Sequence, residues 1–193
     1  MPETRPPIEA QGASLADLAA AIEARGGPPP VDRWHPDHCG DSQMRIARDG
    51  TWFHQGTPIA RPAMVRLFAT VLRREPDGSH VLVTPVEKLA IEVEHTAFRA
   101  TQMTMAGEGP NRRIGLTLDS GDALIVGPDH PLIILDTAGG PNPRVAVRFG
   151  LEAELARPLY YELAEIALAE APNNPTGWPP GVWSDGRFFA LAP

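Results

Sequence analysis

The chain has 193 residues, 42% of them apolar, a formal net charge of −7 and a single cysteine, Cys39. That length admits one domain or two small ones with a real core, and the apolar fraction sets the chain apart from disordered ones. The acidic balance argues against a face for duplex nucleic acid, one cysteine excludes an internal disulfide, and the lack of an apolar leader or a membrane-length apolar run makes cytoplasmic, off the membrane, the expected location.

Residues 1 to 13 read as a loose tail. "SLADLAAAIEARGG" follows as a helix that Ser14 can cap, with Leu15, Leu18, Ala19 and Ile22 on one face. Gly26 and Gly27 end it, and "PPP" at 28 to 30 forces an extended linker. "MRIARDGTWFHQ" alternates around an Asp-Gly turn and signals a hairpin. "ARPAMVRLFATVLRRE" reads as a helix over 62 to 74, with Pro62 at its first position and Met64, Leu67, Phe68, Val71 and Leu72 on its apolar face. "DGSHVLVTPVEKLAIEVE" adds a second Asp-Gly turn and two strand-like runs.

Strands dominate the next stretch: "RIGLTLDSGDALIVG" as a hairpin, then "PLIILD" and "RVAVRFG". "ARPLYYELAEIALAE" is a further helix, with Leu159, Leu163, Ile166 and Ala167 facing inward, and "GVWSDGRFFALAP" closes as a hairpin. An internal similarity bears on the fold. "ARPAMVRLFATVL" at 60 to 72 matches "ARPLYYELAEIAL" at 156 to 168, and "DGSHVLVTP" at 77 to 85 resembles "DGRFFALAP" at 185 to 193. Two matches in one order point to duplication of a domain. The expectation is an α+β chain of two similar small halves, each an antiparallel sheet with one packed helix: an N-terminal region 1 to 30, a first half 31 to 98 and a second half 99 to 193.

Chemistry-bearing residues are few. His35, His38, Cys39 and Asp41 in "WHPDHCGD" are metal-ligand types, but the second spaced pair of a zinc site is missing, so no metal is expected and Cys39 reads as a small buried hydrophobe. Cys39 with His54 lacks a local nucleophile signature. No Gly-x-Ser-x-Gly elbow or Walker loop occurs, and "GEGP" at 107 to 110 suits a hairpin loop better than a phosphate cradle. Only one lysine, Lys88, stands among the basic residues, and arginines suit bidentate anion contacts.

The stretch "DGTWFHQGTPIARP" at 49 to 62 reads as the best candidate site. Strand alternation gives Trp52 and His54 one face and Phe53 the other, so Phe53 and Ile59 can pack while Trp52 and His54 stay available. The helix from Pro62 would aim free N–H groups and its positive end toward that face, beside Arg61. Arg66 lies further along, and "TPVEK" adds Thr84, Glu87 and Lys88.

The motifs "W-x-P-x-x-C-G-D", "DGTWF", "G-x-PI-x-RP-x-x-VRLF", "LVTPVEK" and "I-x-VE", followed by "VRFGLEAEL-x-RPLYYELAEIAL" and "GVWSDGRFF", resemble the bacterial family called Domain of Unknown Function 1285. The likeness spans almost everything after the N-terminal helix. "VEHTAF" at 93 to 98 departs from the Val-Glu-Asp-x-Pro-Phe expected there, and His35 and His38 fall where the pattern fixes nothing. The resemblance implies a duplicated domain whose second half superficially resembles pleckstrin-homology folds. It also implies a cleft between the halves for a nucleotide-like ligand and a role in signalling. It carries no catalytic residue.

Together these readings describe a soluble regulatory protein that binds a small anionic, phosphorylated or nucleotide-like molecule between its halves and passes a signal to a protein partner, without a cofactor. Trp52 and Trp183 would stack on the ligand, and Arg61, Arg66 and Lys88 would meet its charge. One alternative is a hydrolase or transferase with His54 or Glu87 as base. Another is a protein-interaction module that docks partners on the second half's sheet.

Overall fold

The computed structural model describes residues 29–171 and 179–192; the helix expected from Ser14, with most of the region 1 to 30, lies outside them. The chain divides into two compact units. One is formed by the residues up to Arg45 together with Phe53–Glu92, the other by Ile46–Trp52 and the residues from Val93 onward.

The first unit is built on a six-stranded sheet. Strands β1 (Cys39–Ile46), β2 (Trp52–His54) and β3 (Thr57–Pro58) form one meander; after helix α1 (Pro62–Thr70), strands β4 (Leu72–Arg74), β5 (His80–Val83) and β6 (Lys88–Val93) form another. Their spatial order is β3-β2-β1-β6-β5-β4. Turn chemistry sets the hairpins. Asp49 and Asp77 each accept the backbone N–H two residues on, and Gly50 and Gly78 follow with φ of 89° and 90°, open to glycine at little cost. At the centre, β1 and β6 run parallel: Lys88 donates to the His38 carbonyl, Ser42 to Ala90, and Glu94 to Ile46, so both numbers rise together.

The second unit repeats that plan. Strands β7 (Phe98–Ala106), β8 (Arg113–Leu118) and β9 (Ala123–Ile125) make one meander, and β10 (Leu132–Thr137), β11 (Gly140–Ala146) and β12 (Glu152–Leu155) the next. The order is β10-β11-β12-β7-β8-β9, with β12 parallel to β7 through Ala153–Phe98, Glu154–Arg99 and Leu155–Ala100. Reading each sheet from the end of its first meander gives the same sequence of strands, third-second-first-sixth-fifth-fourth. The chain is therefore an α+β protein of two similar halves, as duplication requires.

Three details differ from the sequence reading. The sheets are mixed, because a parallel pair joins the two meanders of each. Helix α1 stops at Thr70 and not at 74: Thr70 Oγ1 turns back to the Leu67 carbonyl, and Leu72–Arg74 gain a full strand partner across the Asp77-Gly78 turn. The two Arg-Pro helices also hold different places in the plan. Helix α1 connects the two meanders of its sheet, whereas α2 (Arg157–Glu170) follows the sixth strand.

Helix α2 packs on β7 and on a terminal hairpin, β13 (Gly181–Ser184) with β14 (Arg187–Ala190), burying Leu159, Leu163 and Ala167. Ser184 is fully buried. Its hydroxyl donates to the Val126 carbonyl at 2.6 Å and accepts the Ile114 N–H at 2.9 Å, tying the hairpin to β8 and the end of β9. Among the described residues no helix is long and apolar enough to cross a membrane.

Candidate functional site

The residues singled out from sequence divide between the units, and Trp52, Thr84, Lys88 and Trp183 are committed to structural contacts. Trp52 is only 5% exposed, so it is a core residue and offers no stacking surface; this corrects the alternation argument. Phe53, expected to pack, is half-buried and carries the Arg45 guanidinium 4.3 Å above its ring. His54 is exposed because β2 ends there in a two-residue turn, with Gln55 at φ 49° and Gly56 at φ 76°. Ile59 is half-buried.

Arg61 and Arg66 are exposed. The α1 end beside Arg61 offers an anion one N–H, that of Ala63, because Pro62 has none and both Met64 and Val65 donate to the Arg61 carbonyl. Thr84 is buried, and its hydroxyl accepts the N–H groups of Val86 and Glu87, shaping the turn that leads to β6. Glu87 is half-buried. Lys88 pairs with Glu75 at 3.4 Å, and Arg73 holds the same carboxylate at 2.7 Å. Burial works against the charge of Glu75, yet the hydrogen bond and charge of Arg73, then those of Lys88, outweigh it and hold the carboxyl below its usual range. Trp183 stacks edge-on against Phe188 inside the terminal hairpin, with centroids 5.5 Å apart. Cys39 is exposed, not buried, since β1 begins there at the sheet margin. No group of three His, Cys, Asp or Glu side chains gathers as a metal site would need, among the described residues.

A cleft of about 450 Å³ lies within the second unit instead. Its floor is polar. Arg48, His95, Asn142 and Glu154 line it, the Thr137–Gly140 turn between β10 and β11 borders it, and Arg157 and Tyr161 of α2 form a wall. Gly140, at φ 95°, faces open space, so the turn presents bare backbone to whatever enters. Tyr161 is 59% exposed, whereas the neighbouring Tyr160 is anchored through its hydroxyl to the Leu191 carbonyl.

A fixed network organises the floor. Arg144 donates from Nη1 to Glu152 at 2.9 Å and from Nε to Asn142 Oδ1 at 2.7 Å. The Asn142 amide therefore turns its Nδ2 toward Glu154 Oε1, 2.9 Å away, and toward His95 Nε2, 3.1 Å away. Glu154 Oε2 meets that same imidazole nitrogen at 3.2 Å. Among the described residues the side chains of Arg48 and Arg157 have no ion-pair or hydrogen-bond partner; the Arg48 backbone N–H donates to Glu94. The start of α2 adds one N–H, that of Arg157, because Pro158 has none and Leu159 and Tyr160 both donate to the Ala156 carbonyl.

Chemically, this is a cleft with two guanidinium groups uncommitted among the described residues, an exposed phenol ring and an imidazole held by a carboxylate. His95, Asn142, Glu154 and Arg48 were missed from sequence because four separate segments supply them. The available signal was the second Arg-Pro pair, Arg157-Pro158, which was read only as evidence of duplication.

Comparison with known proteins gives two family matches and similar solved structures. Residues 29–96 match "Domain of unknown function (DUF1285), N-terminal domain", and residues 97–191 match "Protein of unknown function (DUF1285), C-terminal domain". A crystal structure of a DUF1285 family protein from Silicibacter pomeroyi is 43% identical, with a TM-score of 0.79 over 92% of this chain and 94% of that one. A second, from Shewanella baltica, is 23% identical with a TM-score of 0.52 over 65% of this chain and 92% of that one, a likeness of fold alone. No curated protein matches the chain.

Proposed function

The chain belongs to the DUF1285 family, and from that premise we propose that it is a binding protein for a small anionic molecule, held in the cleft of its second unit. The carrying observation is that Arg48 and Arg157, both without side-chain partners among the described residues, line one cleft together with the exposed ring of Tyr161. Its volume of about 450 Å³ is in the range of small-molecule sites. A phosphorylated or nucleotide-like ligand fits this chemistry: its phosphate would meet the guanidinium groups bidentately, and a flat ring would lie against Tyr161. Both arginines are exposed, so solvent screens them and each contact contributes near the low end of charge-assisted bonds, about 1.5 kcal/mol. Such a site suits a sensor that fills and empties as ligand levels change, consistent with a regulatory role in signalling. His54 and Glu87, the bases considered for a hydrolase, do not line this cleft.

A thermal-shift screen of nucleotides and phosphorylated metabolites tests the reading, since a ligand that binds only the folded state raises the melting temperature. At least one phosphorylated compound is expected to raise Tm more for the wild type than for Arg157→Ala. A screen with no positive compound, or equal shifts for both proteins, overturns it.

One observation favours a second reading, as a docking module. Ile133 and Leu135 are 40% and 36% exposed on β10, which is an edge strand with an unpaired side. Ile133→Lys would abolish capture of a partner docked there and leave small-molecule binding unchanged.

A further inference from the structure

The cleft floor carries a negative group as well as positive walls. Glu154 has two arginines as cross-strand neighbours, Arg144 on β11 and Arg99 on β7. Neither pairs with it. Arg144 donates to Glu152 and to Asn142 Oδ1, and Arg99 Nη1 donates to the Asp49 carbonyl. Among the described residues no lysine or arginine forms an ion pair with Glu154. Its Oε1 accepts from Asn142 Nδ2 and its Oε2 meets His95 Nε2, one contact on each oxygen. A carboxylate has about four acceptor positions, so about half of them remain. The side chain is 26% exposed and lines the cleft, where a ligand can reach those positions.

The fixed charges of the lining are therefore two guanidinium groups, Arg48 and Arg157, and one carboxylate. A phosphate monoester brings nearly two negative charges. It balances the guanidinium groups and leaves Glu154 facing a ligand of its own sign. A hydroxyl on that ligand would give Glu154 a hydrogen bond but no opposite charge; an ammonium gives both. The exposed ring of Tyr161 lines the same cleft, and an aromatic face also favours a cation.

We propose that the cleft selects a phosphorylated amine: the phosphate meets Arg48 and Arg157, and the ammonium pairs with Glu154, which sets the specificity. This rests on the anionic-ligand reading above and narrows it, because a phosphate compound without a cation matches only the arginines of the lining.

2-Aminoethyl phosphate and 2-hydroxyethyl phosphate are suitable probes, because they differ only in an ammonium against a hydroxyl. At about pH 8 both phosphates are close to dianionic and the amine is protonated. Calorimetric titration of the full chain with each compares them. The wild type is expected to bind the amine about fivefold more tightly, the upper range for a partly exposed ion pair. Glu154→Gln keeps the shape and the acceptor for Asn142 but removes the charge, and should bring the two probes within about twofold of each other. Should that variant fail to fold, Glu154→Asp carries the same test: it keeps the charge, draws it back from the ligand, and should lower the preference for the amine. Equal binding of the two probes by the wild type, or an undiminished preference in the Glu154 variant, overturns the selection of an amine and leaves the cleft reading standing. Arg157→Ala checks that reading separately and should weaken both probes. Undiminished binding of both in that variant, or no binding of either by the wild type, overturns the cleft reading and the selection with it.

Discussion

The two sheets share one strand order, but their Arg-Pro helices do not share one place. In the first unit the helix bridges the meanders and buries only Phe68 and Ala69. In the second it follows the last strand, buries Leu159, Leu163 and Ala167, and brings Arg157 to the wall of a cleft. Similar local sequence has thus been placed on one scaffold in two ways. Arg61-Pro62 stands at an exposed corner, and Arg157-Pro158 stands beside a cleft. The sheet is the repeated object, and what each half packs against it differs.

The largest test of that difference concerns the helices themselves. Leu163 is fully buried and Met64 is 39% exposed. Leu163→Ala is expected to destabilise the protein by about 2–5 kcal/mol, the range for a buried leucine cavity. Met64→Ala should change stability by no more than about 0.5 kcal/mol. Denaturant unfolding of both measures this, and equal losses would mean that α1 is as deeply integrated as α2.

A step smaller is Ser184→Ala. It leaves the Ile114 N–H and the Val126 carbonyl without their hydroxyl partner in a buried place, at about 1–3 kcal/mol. Hydrogen exchange should show the β13–β14 hairpin losing protection first. Retained protection in the variant would show that apolar packing alone holds the hairpin.

Comparison of the two arginines follows. Arg157→Ala should weaken binding of a phosphorylated ligand about tenfold, or about 1.4 kcal/mol, and Arg61→Ala should leave it within about twofold. A reversed ranking in titration would return the site to the first half.

The smallest expected effect is in acid. The Arg112 hydrogen bond, opposed by burial and aided by the Arg112 charge, holds the Glu170 carboxyl below its ordinary value of 4.5. A depressed carboxylate stabilises the fold fully above the unfolded value, and that contribution is lost as pH falls through the folded one. Melting temperatures should therefore drop more between pH 5 and pH 3 for the wild type than for Glu170→Gln, by a degree or so, since Glu170 is 38% exposed on its side chain. Parallel profiles would assign the acid loss to other carboxylates.

Much of the fold was legible because turns carry local chemistry. The Asp-Gly pairs at 49 and 185 marked two hairpins and the pair at 77 a turn, and both Arg-Pro helix starts are present. Strands β7 and β12 were not read: in "FRATQMTMA" the alternation slips at Thr101-Gln102, where the register also shifts, and "EAEL" alternates over only four residues just before a helix. The end of α1 was misread because Val71 and Leu72 continue the helical spacing, and only pairing with β5 decides for a strand. The cleft itself was not legible. Anion binding beside an Arg-Pro start could be argued from sequence; which of the two starts has a cleft depends on His95, Asn142 and Glu154, which meet only after the second sheet forms. Trp52 shows the complementary failure, since alternation gives two faces without saying which one is covered.

The parallel pair at the centre of each sheet has a consequence for how the chain is made. In both halves the seam joins the first strand to the sixth, β1 to β6 and β7 to β12. A nascent half can assemble its hairpins from local contacts as they emerge, but its centre stays open until the last strand has left the ribosome. Each half therefore combines fast local steps with one late, long-range closure, which raises contact order and slows folding relative to a simple meander. Until then β1, and later β7, presents an unpaired edge, the kind of exposed strand that invites misassociation. Because the two seams close one after the other along the chain, the first half can be complete while the second is still being synthesised.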